Sequence, residues 1–270
     1  RLMISKIFPK KSLGQNFLID KNVIKKIVKI PNFLENKIVL EIGSGNGNLT
    51  NEILKKNPKK IIAIEKDKNL AIVLKDRFIK TNKVEVVNDD IFNVLKKNIW
   101  GKNIIIFGNL PYNISTQILA SLITYKKWPP WYDCMVLMFQ KEVADRILAK
   151  KNSKEFGRFA ILCNWRTEIK KEFDVSCNCF YPKPKVDSTM LSFYPKKKIK
   201  YKIKDPKNLE FITRILFSNR RKMINKNLIK LFGKNITLIK DLNLDVRCRP
   251  EEISSEVFYK IAIKYEKLID

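Results

Sequence analysis

Short apolar runs rich in β-branched residues recur through the first half of the chain, at Lys37–Ile42, Lys60–Glu65, Val84–Asn88, Asn103–Gly108 and Cys134–Phe139. Apolar positions on both faces leave a strand no side for water, so these runs predict strands buried between layers. The intervening segments Asn48–Lys56, Asn69–Ile79 and Thr116–Tyr125 have the mixed pattern of helices. Strands alternating with helices predict a doubly wound α/β sheet. Two more strands, near Thr167–Val175 and Ser188–Tyr194, lack a long helix between them and predict an antiparallel closure of the sheet.

The pattern changes at Pro195. Lys196–Lys204 carries six lysines, and Asp205-Pro206 then reads as an N-cap and first-turn proline opening a helix. Phe211, Ile215, Leu216, Met223, Ile224, Leu228 and Leu231 continue at helical spacing, and a last helix is expected around Glu256–Leu268. The expected organisation is an α/β domain over residues 1–195 and a small all-helical domain over 196–270.

Composition narrows the chemistry. The chain has no histidine, which excludes His-ligated zinc, Ser-His-Asp and Cys-His catalysis and any histidine general base. Cys134, Cys163, Cys177, Cys179 and Cys248 form no CxxC pair and read as reduced thiols of a cytoplasmic protein. No apolar run approaches the roughly 20 residues of a membrane span. The net charge of +28, from 55 Lys+Arg against 27 Asp+Glu, favours a polyanionic partner, although a chain heavy in Lys, Asn and Ile also has the look of coding bias. Arginines are therefore more telling, and Arg220, Arg221, Arg247 and Arg249 fall in the last quarter.

Three motifs sit where predicted strands end. Glu41-Ile42-Gly43-Ser44-Gly45-Asn46-Gly47 can hold a ligand against the backbone of a tight turn, or be an ordinary strand-to-helix turn. Glu65 ends the second strand, where an acid can accept both hydroxyls of a ribose. Asp89 or Asp90, after the third, can take an adenine amino group or simply cap the helix that begins at Ile91. Gly43, Gly45 and Glu65 together suggest an adenosine-containing cofactor. Gly108-Asn109-Leu110-Pro111-Tyr112 follows the fourth strand and offers an amide oxygen, a carbonyl held by proline and an aromatic face. These are the parts needed to hold an exocyclic amine: Asn109 and the Leu110 carbonyl accept its two N–H bonds while Tyr112 stacks on an unstacked base. The plain alternative is a proline turn with a buried tyrosine.

These residues resemble the ribosomal RNA adenine N6-dimethyltransferases, in particular the bacterial small-subunit (16S) group. The likeness extends over Ser12–Leu18, Glu41–Gly47, Glu65, Asp90, Phe107–Thr116, Gln140–Val143, Phe180–Ser188 and Asn219–Lys222. It implies a Rossmann-like class I methyltransferase sheet and S-adenosylmethionine as cofactor, contacted at Asn16, Leu18, Gly43, Glu65, Asp90 and Asn109. Phe180 would join Tyr112 against the target adenine. The implied reaction dimethylates N6 of two adjacent adenosines in the 3′-terminal hairpin loop of small-subunit rRNA. Arg220, Arg221, Lys222, Arg247 and Arg249 are the expected RNA contacts, on a monomer whose partner is rRNA within a partly assembled 30S subunit. Two rivals stay open: a large-subunit (23S) adenine methyltransferase, and an assembly or transcription factor that keeps the fold without catalysis. For the tail, a solvated basic face is the plain alternative.

Overall fold

Val39, Leu40, Ile61, Ala63 and Ile104–Phe107 are all within a few per cent of full burial, as strands covered on both faces must be. In the computed structural model, which describes residues 15–97, 101–242 and 244–269, the chain runs β1 (Phe17–Leu18), α1 (Lys21–Val28), β2 (Ile38–Ile42), α2 (Asn48–Leu54), β3 (Lys60–Ile64), α3 (Lys68–Arg77), β4 (Val84–Val87), α4 (Ile91–Lys96), β5 (Ile104–Asn109), α5 (Ser115–Ile123), β6 (Tyr132–Gln140), α6 (Lys141–Leu148), α7 (Arg158–Arg166), β7 (Thr167–Val175), β8 (Phe180–Tyr181), β9 (Ser188–Pro195), α8 (Pro206–Leu216), α9 (Asn225–Phe232) and α10 (Ser255–Ile269). Ser12, Leu13 and Gly14 lie outside the described residues.

Seven strands pair in the order β4-β3-β2-β5-β6-β9-β7. The first five are parallel to one another, and β9 runs antiparallel to β6. The strand order reverses at β2, which lies between β3 and β5, so the carboxyl ends of β2 and β5 flank the crevice where open α/β sheets bind ligands. A separate two-stranded ladder pairs β1 with β8. Aspartates start the helices: Asp20, Asp67, Asp90 and Asp205 each accept a backbone N–H of the first turn of α1, α3, α4 and α8. Pro206 occupies the first turn of α8 as its sequence predicts.

The chain divides into two compact units. The first holds the described residues up to Leu119, with Pro130–Ala144 and Lys170–Tyr194. The second holds Ala120–Pro129, Asp145–Ile169 and the described residues from Pro195 on. The helical unit is thus larger than the expected 196–270, because distant segments share its interior. The Tyr259 hydroxyl donates to the Ile161 carbonyl at 2.8 Å. Buried Arg166 donates to the carbonyls of Ile123 and Tyr125 at 3.0 and 2.7 Å and stacks on Trp165 with its guanidinium carbon 4.0 Å from the ring centre. Buried Glu266 of α10 accepts the backbone N–H groups of Lys204 and Asp205 and the Asn208 amide, closing the start of α8.

In the first unit, Gly108 sits where β5 turns into the site. A Cβ there would lie 2.6 Å from Leu110 Cδ2 and 3.0 Å from Leu137 Cδ2, and both leucines are buried. Gly108→Ala should therefore destabilise by about 1–3 kcal/mol through overpacking. Urea unfolding measures this, and an unchanged midpoint would show that Leu110 can swing aside.

Candidate functional site

The turn after β2 is built on glycine for two reasons. Gly43, Gly45 and Gly47 all have positive φ, at 73°, 56° and 79°, a region costly for other residues. Space is also lacking: a Cβ on Gly45 would meet the Phe17 ring at 3.0 Å, and one on Gly47 would meet Leu74 at 2.8 Å. Glu65, the residue after β3, holds this turn in place. Its Oε2 accepts the Gly45 N–H at 2.8 Å and its Oε1 accepts the Asp67 N–H at 2.8 Å. Burial raises the Glu65 carboxyl above its ordinary pKa, and the two backbone N–H bonds oppose that rise.

Below the turn, Glu41 is 1% exposed and accepts the Thr50 hydroxyl at 2.6 Å. Desolvation pushes its pKa up to about 7, against the opposing effect of the Thr50 bond. The aspartates after β4 behave differently. Asp90 caps α4 through Oδ1 and pairs with Lys66 through Oδ2 at 2.8 Å, and the Lys66 bond lowers its pKa. Asp89 accepts the Asn93 amide and Lys97 and is lowered to about 2. The capping role is therefore real for Asp90, which lines the cavity nonetheless.

At the end of β5 the Asn109 amide nitrogen donates to the Asn16 carbonyl at 3.0 Å. A carbonyl can only accept, so the bond fixes the amide's orientation and leaves Oδ1 as the acceptor. The following carbonyls are partly taken: Ile114 N–H bonds to Pro111 O at 3.1 Å and the Ser115 hydroxyl to Tyr112 O at 3.2 Å. The Leu110 carbonyl is not among those occupied by these bonds. The Tyr112 hydroxyl and Ser188 Oγ are 2.7 Å apart, which ties the half-buried ring to the start of β9.

One cavity joins these parts. Asn16, Leu18, Gly43, Gly45, Glu65, Asp90, Asn109, Leu110, Pro111 and Tyr112 all line it, together with Phe17, Ser44 and Asn46, which were legible in the sequence only as parts of longer motifs, and Lys66, which the sequence did not single out. Phe17 was discoverable as the aromatic beside Asn16, but only the fold lays it on Gly45. Phe180 is not among the described residues lining the cavity. Paired opposite Leu18, it packs in the hydrophobic core and is 3% exposed. Among the described residues no group of three metal-ligating side chains occurs, and no helix is long and apolar enough to cross a membrane.

In the second unit the expected RNA contacts converge. Ile224 N–H donates to the Cys248 carbonyl at 3.0 Å, which sets Arg247 and Arg249 beside the segment of Arg220, Arg221 and Lys222. That segment is a turn between α8 and α9, and the helix expected to run through it ends at Leu216. Arg220 is also not a free cation: its Nε pairs with Glu251 at 2.8 Å and its guanidinium bonds the Lys154 carbonyl. Arg221, Lys222, Arg247 and Arg249 are exposed, with Arg247 bonded to Asp245 beside it.

Comparison with known proteins places this arrangement. The sequence profile of the family described as ribosomal RNA adenine dimethylase matches residues 8–267. The chain belongs to this family. The Ribosomal RNA small subunit methyltransferase A of Pelagibacter ubique (strain HTCC1062) is 48% identical over 259 residues, covering 96% of this chain and 97% of the relative. Its counterpart from Wolbachia sp. subsp. Drosophila simulans (strain wRi) is 37% identical, covering 96% and 94%. Among solved structures, a dimethyladenosine transferase from Plasmodium falciparum superposes with a TM-score of 0.79 at 26% identity, covering 93% of this chain and 98% of that one. The 23S rRNA methyltransferase ErmE shares the fold, with a TM-score of 0.68 at 20% identity over 93% of this chain and 99% of that one.

Glu41 gives this dimethylase a pH dependence. A carboxyl whose pKa rises from 4.5 to about 7 on folding contributes stability that is complete below pH 4.5 and is lost as pH rises through about 7. Glu41→Gln keeps a neutral acceptor for Thr50 and should remove about 3 kcal/mol of that slope. Urea unfolding of both proteins between pH 5 and pH 8 measures the difference, and parallel curves would refute a protonated Glu41.

Proposed function

We propose that this dimethylase transfers methyl groups from S-adenosylmethionine to N6 of two adjacent adenosines in the 3′-terminal hairpin loop of small-subunit (16S) rRNA, as a cytoplasmic monomer acting on a partly assembled 30S subunit. The observation that carries the chemistry is the oriented Asn109 amide, its oxygen left as an acceptor on the cavity that holds the glycine turn and Glu65. The residues present fit the cofactor. Gly45 lets the backbone of the turn line the cavity at a positive φ, Glu65 is a buried carboxylate whose oxygens retain acceptor capacity for a ribose, and Asp90 lines the same cavity for an adenine amine. When bound, S-adenosylmethionine supplies an electrophilic methyl group on a sulfonium.

The protein's task is to orient a poor nucleophile. The lone pair of adenine N6 is delocalised into its ring. Asn109 Oδ1 and the Leu110 carbonyl accept its two N–H bonds and favour a more tetrahedral nitrogen. Tyr112, its hydroxyl anchored by Ser188, presents an aromatic face to the unstacked base. Positioning supplies most of the catalysis, and the proton released after alkylation can pass to water, which suits a chain without histidine.

Asn109→Ala should lower methyl transfer by about 10²-fold or more, because it removes an acceptor that strengthens toward the transition state, while rRNA binding persists. Single-turnover assays with labelled cofactor measure it, and near-normal turnover would sink the mechanism.

The exposed Arg221, Lys222, Arg247 and Arg249 form the RNA-contacting patch in this reading, supported by their convergence through the Ile224–Cys248 bond. Each phosphate contact removed should flatten the salt dependence of binding by about one unit in log K against log salt. The double substitution Arg221→Ala with Lys222→Ala should therefore flatten it by about two units, whereas Arg220→Ala should chiefly destabilise the fold by orphaning Glu251. Filter binding across a salt series decides, since identical slopes would leave the patch without a part in recognition.

A further inference from the structure

The β1–β8 ladder sorts its four side chains onto two faces. Leu18 is opposite Phe180 and Phe17 is opposite Tyr181, and directly opposed residues of an antiparallel pair share a face, with Cβ atoms about 4.5–5.5 Å apart. The Leu18–Phe180 face belongs to the hydrophobic core, where both side chains are buried. Phe17 lines the cavity and lies against the Gly45 turn. Tyr181 shares the face of Phe17, yet it is 58% exposed. A large aromatic thus stands uncovered beside the ring that lines the cavity.

Two exposed cations, Lys183 and Lys185, lie just beyond it in the chain. The nearby acids Asp20 and Asp187 already accept backbone N–H groups, from Asn22 and Val23 and from Cys177. An exposed ring flanked by cations is the arrangement that binds unpaired nucleic acid, where bases stack on the ring and phosphates meet the lysines. An RNA base drawn out of its stack also leaves its neighbour with one face unstacked, and a ring at the rim of the cavity can replace the missing partner.

We propose that Tyr181 is a stacking platform for the nucleobase next to the target adenosine in an unpaired RNA segment, with Lys183 and Lys185 neutralising the adjacent phosphates. The proposal rests on the reading of the cavity as the site of RNA adenosine methylation. It assigns Tyr181 to the neighbouring base, and leaves the target base to Asn109, Leu110 and Tyr112.

The test uses the full chain and partly assembled small subunits whose rRNA has an unmethylated 3′-terminal hairpin loop. One version has 2-aminopurine beside a target adenosine, since its fluorescence is quenched by stacking, and an unlabelled version serves for methylation kinetics. Wild-type protein should quench the probe. Tyr181→Ala should abolish the protein-dependent quenching and raise the KM for RNA on the order of 10-fold, with the KM for S-adenosylmethionine unchanged. Tyr181→Phe keeps the ring and should retain both properties. Lys183→Ala with Lys185→Ala should raise the KM for RNA and reduce its salt dependence while leaving quenching at saturation. Quenching and RNA KM that stay at wild-type values in Tyr181→Ala would overturn the platform alone. A wild-type chain that transfers no methyl group to the rRNA of these subunits would instead overturn the underlying function, and the platform with it.

Discussion

A hydrogen bond between residues 93 positions apart holds the Asn109 edge of the cavity in order. The Asn16 carbonyl takes the Asn109 amide nitrogen, and without it the amide is free to rotate and turn a donor, not its oxygen, to the cavity. That bond depends on other parts of the fold. Asn16 is placed by the β1–β8 ladder and by the Asn48 amide, which donates to the Leu18 carbonyl at 3.1 Å. Asn109 is placed by β5, whose parallel pairing with β2 and β6 spans its length. Gly108, immediately before it, leaves the space into which Leu110 folds.

The cavity also separates its acids by depth, on a chain whose net charge is +28. Glu41 and Glu65 lie at the inner ends of β2 and β3, where loss of water dominates and raises both pKa values. Asp89 and Asp90 lie nearer solvent, where Asn93 with Lys97 reaches the first and Lys66 the second, and both are lowered. Four carboxylates therefore differ in protonation behaviour through burial and neighbours alone. Glu65 is the intermediate case, buried yet supplied with two backbone donors, and this combination keeps the cavity-lining carboxylate ordered. The exposed ion pairs around the rim add little to stability by themselves; their larger effect is to set the charge of the acids that face the cavity.

Along the chain, local signals and tertiary constraints can be told apart. The strands β2, β3, β5 and β6 were legible because burial on both faces writes a nearly continuous apolar run, and the half-buried edge strand β4 was legible through its β-branched valines. The start of α8 was legible because Asp205-Pro206 satisfies a capping requirement within one turn. The cavity residues were legible because Gly43, Glu65, Asp90 and Asn109 all sit at strand ends, and a parallel sheet brings those ends to one edge. In contrast, β1 and β8 have two residues each and carry no period to read. The α7 segment was missed because apolar residues fill it too evenly to reveal a helical stripe: Ala160–Cys163 are all buried.

What the sequence determined by itself is the order of buried strands, the glycine turn with its acids, and the Asn109–Tyr112 run, since each is dictated by covalent geometry or burial within a short window. Only the tertiary structure decided that Ala120–Pro129 and Asp145–Ile169 belong with the helical unit, that Arg220 is tied to Glu251, and that Phe180 turns inward while Tyr181 faces out. Each of these depends on a partner far away in the chain. A strand's alternation says that neighbouring side chains take opposite faces, but the residue paired across from it settles which face is the core.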